Sequence, residues 1–179
     1  MVYFFLADGF EEIEALCPLD LCRRAGIEAK TVSITDSREV TGSHGITVLA
    51  DLTVNDHIKN FDMMVLPGGM PGSVNLDESA LVEKCILSAL ENDSYIAAIC
   101  AAPMILGKRN LLCGKEAIAF PGFEKYLNGA TVSDKKVVLD GKMLTGAGMG
   151  VSHDFGLKIV EIFKGKEEAD KLCSSVLYK

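Results

Sequence analysis

The sequence predicts an α/β fold: a mostly parallel sheet with helices on both faces. Strands and helices alternate along the whole chain, and a β-α-β order of this kind implies parallel strands joined by crossover helices. The segment Tyr95–Ile99 has the length and apolar continuity of a strand buried on both sides. A chain of 179 residues, 49% hydrophobic, with no linker, repeat or low-complexity stretch suits one domain spanning residues 1–179.

The elements follow in order. Residues 2–7 form an apolar strand, and 10–25 a helix closing on Gly26. A second strand covers 28–34. Val40-Thr41 and residues 46–49 flank Gly42-Ser43-His44-Gly45, the pattern of a hairpin. Residues 62–66 form an apolar strand ending in Pro67-Gly68-Gly69, and 79–91 a helix. After the 95–99 strand and Cys100, residues 101–109 start a helix. Residues 117–120 read as a short strand stopped by Pro121-Gly122; 137–139 and 143–144 pair around Asp140-Gly141; helices over 152–163 and 166–177 finish the chain. In such folds ligands collect beyond the carboxyl ends of the strands. Three segments converge there: 8–14, 67–72 and Cys100.

Composition narrows the function. The net charge is −7 and the pI near 5.0. Lysine and arginine form no basic stripe, so nucleic acid and anionic membranes are disfavoured as partners. The apolar start meets Asp8-Gly9 too early for a signal peptide or a membrane span, and a cytoplasmic protein is expected. The six cysteines contain no C-x-x-C pair, and the three histidines lie in different segments, so neither a zinc site nor a disulfide framework is expected.

Cys100 falls where an apolar strand gives way to a helix start, the setting of a nucleophile elbow. N–H groups at the helix start would favour its thiolate. Taken alone, it fits a small core residue equally well. On the first helix, Phe10, Ile13, Cys17 and Leu21 make an apolar stripe, and Glu14 lies about 40° from its centre at ~100° per residue, so Glu14 is expected to point inward. Glu11 and Glu12 fall off the stripe and are expected in solvent. A carboxylate favoured by the helix dipole is the alternative for Glu14. Beside a thiol, an inward carboxyl would keep its proton while the sulfur ionises, because two adjacent buried charges are costly, and the pair would titrate together. Gly68-Gly69 can bring backbone N–H groups close to a ligand and, with the N–H of Ala101, form an oxyanion hole; alone it is an ordinary turn.

These pieces, in this order, resemble the DJ-1/ThiJ/PfpI superfamily and its DJ-1 branch, in a bacterial-type form. The motifs are residues 9–14 (Gly-Phe-Glu-Glu-Ile-Glu), 65–72 (Val-Leu-Pro-Gly-Gly-Met-Pro-Gly) and 97–103 (Ala-Ala-Ile-Cys-Ala-Ala-Pro), with Arg23-Arg24-Ala25-Gly26, Asn75-Leu76 and residues 155–161 extending the match nearly end to end. The resemblance implies a flavodoxin-like three-layer sandwich, usually dimeric, with an easily oxidised cysteine at the elbow. Cys100 matches that cysteine and Glu14 the glutamate bonded to it. Gly69 and Ala101 match the backbone oxyanion donors. Arg24 and His44 match positions near the dimer interface around the pocket. The first helix also carries Leu16 and Leu19 opposite the stripe, as if covered from two sides, which fits a dimer.

Two departures stand out. Protease-like members carry histidine after the cysteine, where this chain has Ala101, so peptidase and amidotransferase chemistry are not expected. Some closer members place histidine where this chain has Phe120, which moves no protons. His153, at the start of a late helix, is expected on the surface. The resemblance implies cofactor-free, low-turnover glyoxalase or deglycase chemistry on methylglyoxal, glyoxal or glycated adducts, with no metal. The alternative it implies is a redox-responsive stress protein or chaperone whose cysteine oxidises to sulfinate.

Overall fold

The structure is a computed structural model and describes residues 1–178. In chain order it contains β1 (Val2–Leu6), α1 (Glu12–Arg24), β2 (Ala29–Ser33), β3 (Glu39–Thr41), β4 (Thr47–Leu49), β5 (Met63–Leu66), α2 (Gly72–Asp77), α3 (Ala80–Glu91), β6 (Tyr95–Ile99), α4 (Pro103–Lys108), β7 (Glu116–Ala117), β8 (Thr131–Val132), β9 (Val137–Asp140), β10 (Met143–Gly146), α5 (Ser152–Lys164) and α6 (Lys166–Ser175). Six strands form the central sheet in the order β2-β1-β5-β6-β10-β9. Every neighbouring pair is parallel except β10 with β9, the hairpin at one edge. The five parallel strands, taken in chain order, run 2-1-3-4-5, the flavodoxin-like order, whose switch point lies between its first and third strands.

Alternation along each central strand builds two cores. Tyr3, Phe5, Met64, Leu66, Ile96 and Ala98 join one cluster, with residues of α2, α3 and α4 such as Leu76, Ile86 and Ile105. Val2, Phe4, Met63, Val65, Ala97 and Ile99 turn the other way and meet Leu19, Cys22, Phe155 and Ile159 of α1 and α5. The sheet is thus covered on both faces, which is why its strands read as continuous apolar runs.

Helix α3 starts at the predicted place because the Ser79 hydroxyl accepts from the N–H of Val82 and caps the first turn. Three expectations need correction. The 117–120 strand is instead the two-residue β7, paired with β8 outside the main sheet. Beyond it the N–H of Ile118 donates to the Thr145 hydroxyl and that of Phe120 to the Cys100 carbonyl, so the chain is drawn to the end of the main sheet and not into a longer ladder. The stripe on α1 is displaced by about one residue. Ile13 is 47% exposed, while Glu14, Ala15, Pro18, Leu19 and Cys22 are buried. Phe10 precedes the helix, so its direction cannot be extended along the helix in steps of about 100°. Finally, the second cover on α1 comes from the same chain. Helix α5 packs on it so closely that a β-carbon on Gly156 would lie 2.9 Å from the Pro18 α-carbon, and Leu19 is buried there with no partner subunit needed.

Candidate active site

Cys100 is the first residue after β6, and its backbone adopts φ 64°. That left-handed conformation is uncommon for a residue with a β-carbon and forms the sharp bend expected of an elbow. The bend is anchored on both sides: the Cys100 N–H donates to the Gly146 carbonyl at the end of β10 (2.9 Å), and its carbonyl accepts from Phe120 (2.8 Å). The side chain is half-buried. The backbone N–H groups of Gly69 and Ala101 favour the ionised form of the sulfur.

Glu14 reaches the same place from α1 and is fully buried. One carboxyl oxygen, Oε2, accepts from the Gly68 N–H at 2.8 Å. The other, Oε1, is buried and has no hydrogen-bond partner, although the carboxyl lies near enough to Cys100 for the two to shift each other's ionisation. Gly68 is what allows this closeness. A β-carbon there would lie 2.5 Å from Glu14 Oε2 and 2.6 Å from the Cys100 β-carbon. Gly69 combines φ 89° with close approach to the backbone of residues 9–11, so a side chain is excluded there twice over.

The electrostatics follow from burial. Desolvation raises the Glu14 carboxyl, hydrogen bonding from Cys100 and Gly68 opposes it, and the net position is about 7. Desolvation first, and then the Glu14 charge, push the Cys100 thiol up to about 12 against the two N–H groups. The N–H groups therefore do not make the sulfur acidic by themselves, as the sequence suggests. A charged Glu14 holds the thiol protonated, so the sulfur is released only while Glu14 keeps a proton. The two groups share one site and titrate as a pair.

Glu12 departs most from expectation. It is 3% exposed, not solvated. The β3–β4 hairpin folds over the first turn of α1. There Glu12 Oε1 accepts from the His44 N–H (2.8 Å), and Oε2 lies 2.9 Å from His44 Nδ1. Burial would raise this carboxyl, but hydrogen bonds from the His44 ring and from backbone N–H groups, including those of His44 and Ile46, hold it at about 2. A helical wheel sees only the sheet beneath a helix, and it is the hairpin that covers this side. Glu11, Glu12 and His44 are also the metal-ligating side chains that come together among the described residues, with donor atoms within 4.8 Å of one another; the hydrogen bonds just described already satisfy Glu12 and His44 as an ion pair.

The remaining candidates separate. Arg24, at the far end of α1, pairs with Asp20 on the surface (2.6 Å), roughly 15 Å along the helix from Glu14 at ~1.5 Å per residue. His153 is exposed and stacks on Tyr178 at 4.7 Å. Phe120 is at the site. A β-carbon on Gly148 would lie 3.1 Å from its ring and 4.0 Å from the Cys100 sulfur, so ring and sulfur flank one point. Gly146 and Gly148 are site residues missed from the sequence; the only signal was the run of small residues after Thr145. A cavity of about 660 Å³ between the 54–60 loop and α3 is separate from these groups.

The sequence profile of the DJ-1/PfpI family matches residues 1–162. The chain is 37% identical over 175 residues to the protein dj-1beta of Drosophila melanogaster, covering 96% of this chain and 94% of that one. It is 33% identical over 179 residues to the Parkinson disease protein 7 homolog of Danio rerio, covering 97% and 95%. Among solved structures it is similar to a DJ-1 superfamily protein from Salmonella typhimurium, with TM-score 0.94 and 31% identity over 99% of this chain and 98% of that one. It is also similar to an oxidized Toxoplasma gondii DJ-1, with TM-score 0.92 and 32% identity over 98% and 97%.

Proposed function

The chain belongs to the DJ-1/PfpI family, and we propose on that footing that it carries out cofactor-independent glyoxalase- or deglycase-type chemistry on methylglyoxal, glyoxal or glycated adducts. The observation that supports this best is the fully buried Glu14 carboxyl, one oxygen without a donor, beside a half-exposed elbow cysteine. A protonated Glu14 would satisfy that oxygen by donating to the sulfur, and two N–H groups would share the thiolate's charge.

The steps then balance without an external oxidant. The Cys100 thiolate forms a carbon–sulfur bond to the aldehyde carbon, and the carbonyl π electrons move to oxygen, where the Gly69 and Ala101 N–H groups stabilise the developing charge until it is protonated. Glu14 gives its proton to that oxygen. As a carboxylate it then takes the proton from the same carbon, leaving an enediolate, and returns it to the neighbouring carbon. The hydroxyl proton passes to the neighbouring oxygen, which converts the hemithioacetal to a thioester of the hydroxy acid. Water cleaves the thioester, releasing the acid and the thiolate. Phe120 supplies no proton transfer, so turnover is low. Nucleophile, acid and N–H donors all come from the chain itself.

A second reading is a redox-responsive stress protein or chaperone in which Cys100 oxidises to sulfinate beside the Glu14 proton. A solved relative, the Toxoplasma gondii DJ-1, is an oxidized form. In either case the protein acts as a cytoplasmic homodimer with no nucleic-acid partner. Support for the dimer comes from the half-exposed Ile13 on α1 and from Arg24 and His44, whose positions match the interface region of relatives. No helix among the described residues is long and apolar enough to cross a membrane.

Methylglyoxal consumption by the wild type, Cys100→Ser and Glu14→Gln tests the first reading. Turnover in the wild type that both substitutions abolish is the expected result. A wild type with no turnover, but with peroxide-driven sulfinate confined to Cys100, overturns it in favour of the second.

A further inference from the structure

The Cys100 elbow is held on both sides, and both holds lead back to the end of β10. Gly146, the last residue of that strand, accepts the Cys100 N–H at 2.9 Å. Thr145, the residue before it, acts through its side chain: the hydroxyl oxygen accepts from the Ile118 N–H at 3.0 Å. Two residues further along, the Phe120 N–H donates to the Cys100 carbonyl at 2.8 Å. One strand end thus fixes the amide before Cys100 directly and the amide after it through residues 118–120.

A hydroxyl at position 145 is otherwise out of place. Thr145 pairs in register with Ala98 and is 1% exposed, on the face of the sheet whose cluster holds Ala98, Ala117 and Ala119. Valine has nearly the same shape, is as good a strand former, and buries no polar group. Residues 118–120 supply the use for the hydroxyl. They have left β7, which ends at Ala117, and among the described residues the main-chain N–H groups that tie this stretch to the sheet end are those of Ile118 and Phe120. The stretch also carries the Phe120 ring, which flanks one point beside Gly148 together with the Cys100 sulfur. A left-handed φ of 64° at Cys100 persists only where its surroundings hold it.

We propose that Thr145 is a positioning residue for Cys100: its hydroxyl holds residues 118–120 as a strap across the sheet end, and the strap fixes the elbow carbonyl and shields one side of the sulfur. Such a role deepens the reading of Cys100 given above, but only the thiol is needed to test it, so a protein that consumes no methylglyoxal leaves it standing. Iodoacetamide alkylation at fixed pH is read by mass spectrometry for Cys100, Cys22 and Cys85 in one sample. Cys22 and Cys85 are buried in the two opposite cores and report any general loosening. Thr145→Val removes the acceptor at nearly constant shape, and leaving a donor without its partner weakens such an attachment by about tenfold. Cys100 is therefore expected to alkylate about tenfold faster in Thr145→Val, with Cys22 and Cys85 unchanged. Thr145→Ser, which keeps the hydroxyl, should stay close to wild type. A Cys100 rate that is unchanged or slower in Thr145→Val, or three cysteines that speed up together, overturns the proposal. So does a Thr145→Ser protein that reacts like Thr145→Val. Should Thr145→Val not fold, amide hydrogen exchange of the wild type decides. The Ile118 and Phe120 N–H groups are expected to be protected to the same degree, as parts of one strap; unequal protection overturns it.

Discussion

Glu14 carries a stability penalty that its neutral isostere would not. Its ordinary value is 4.5 and its folded value about 7. Below 4.5 the carboxyl is protonated in both folded and unfolded chains, so it adds no pH dependence. Between 4.5 and about 7 the unfolded chain loses its proton while the folded one keeps it, so stability falls as pH rises, and above about 7 the loss is complete. The rise corresponds to at most roughly 3 kcal/mol. Glu14→Gln is therefore expected to melt several degrees higher than wild type at pH 8 and at nearly the same temperature at pH 4, as thermal unfolding at the two pH values will show. The same substitution changes the reactivity profile. Because the Glu14 charge that forms as pH rises through about 7 holds the thiol protonated, wild-type Cys100 alkylation should rise only at higher pH. Glu14→Gln, which removes that charge, should move the rise to lower pH. That Glu14 points inward was legible in the sequence, although the stripe used to orient it was off by a residue. The burial of Glu12 was not legible, because the hairpin that covers it is 30 residues away in the chain.

Helix α1 is held by α5 at the point where Gly156 meets Pro18 and Leu21. Gly156→Ala would place a methyl group 2.9 Å from the Pro18 α-carbon, a backbone atom that cannot swing aside. Overpacking of this kind costs about 1–3 kcal/mol, and a lower urea midpoint with unchanged m-value is the expected outcome. A second linkage ties the helix after the elbow to the helix after the glycine loop. Arg109, at the end of α4, bonds to the Asp77 carboxylate and main-chain carbonyl at the end of α2 and to Glu83 of α3 (2.7 Å). Asp77 is largely buried and held below the usual carboxylate range: burial would raise it, but hydrogen bonds from Arg109 and Lys108 prevail. A double-mutant cycle of Asp77→Ala and Arg109→Ala should give a coupling of about 1 kcal/mol or more; additivity within a few tenths of a kcal/mol would show the two to be independent. Apart from the short α2, which the sequence did not reveal, the helix positions were legible to within a few residues because apolar periodicity and caps act locally. The α1–α5 contact was not, since a lone glycine in a helix does not announce which neighbour it admits.

For the whole molecule, a homodimer implies a solution mass near twice 19.2 kDa, which sedimentation equilibrium will measure. Ile13→Asp, placing a charge on the exposed face of α1, is expected to shift that mass toward the monomer; an unchanged dimer would place the interface elsewhere. The mostly parallel sheet and its two-faced core follow from features printed in the sequence: apolar runs of strand length, glycine-rich breaks, and helices between them, which together leave little choice but a parallel sheet covered on both sides. Cys100 and the 67–72 loop could likewise be placed at one sheet edge before any coordinates, because strand ends in this topology meet there. Only the tertiary structure decided which side chains share that edge with what charge. The lifted ionisation of Glu14 and Cys100, the covered Glu12, the unjoined Arg24 and the Phe120 ring beside the sulfur all depend on desolvation and on contacts between residues far apart in the chain. Those quantities exist only once the chain has closed around them, so no local pattern can encode them.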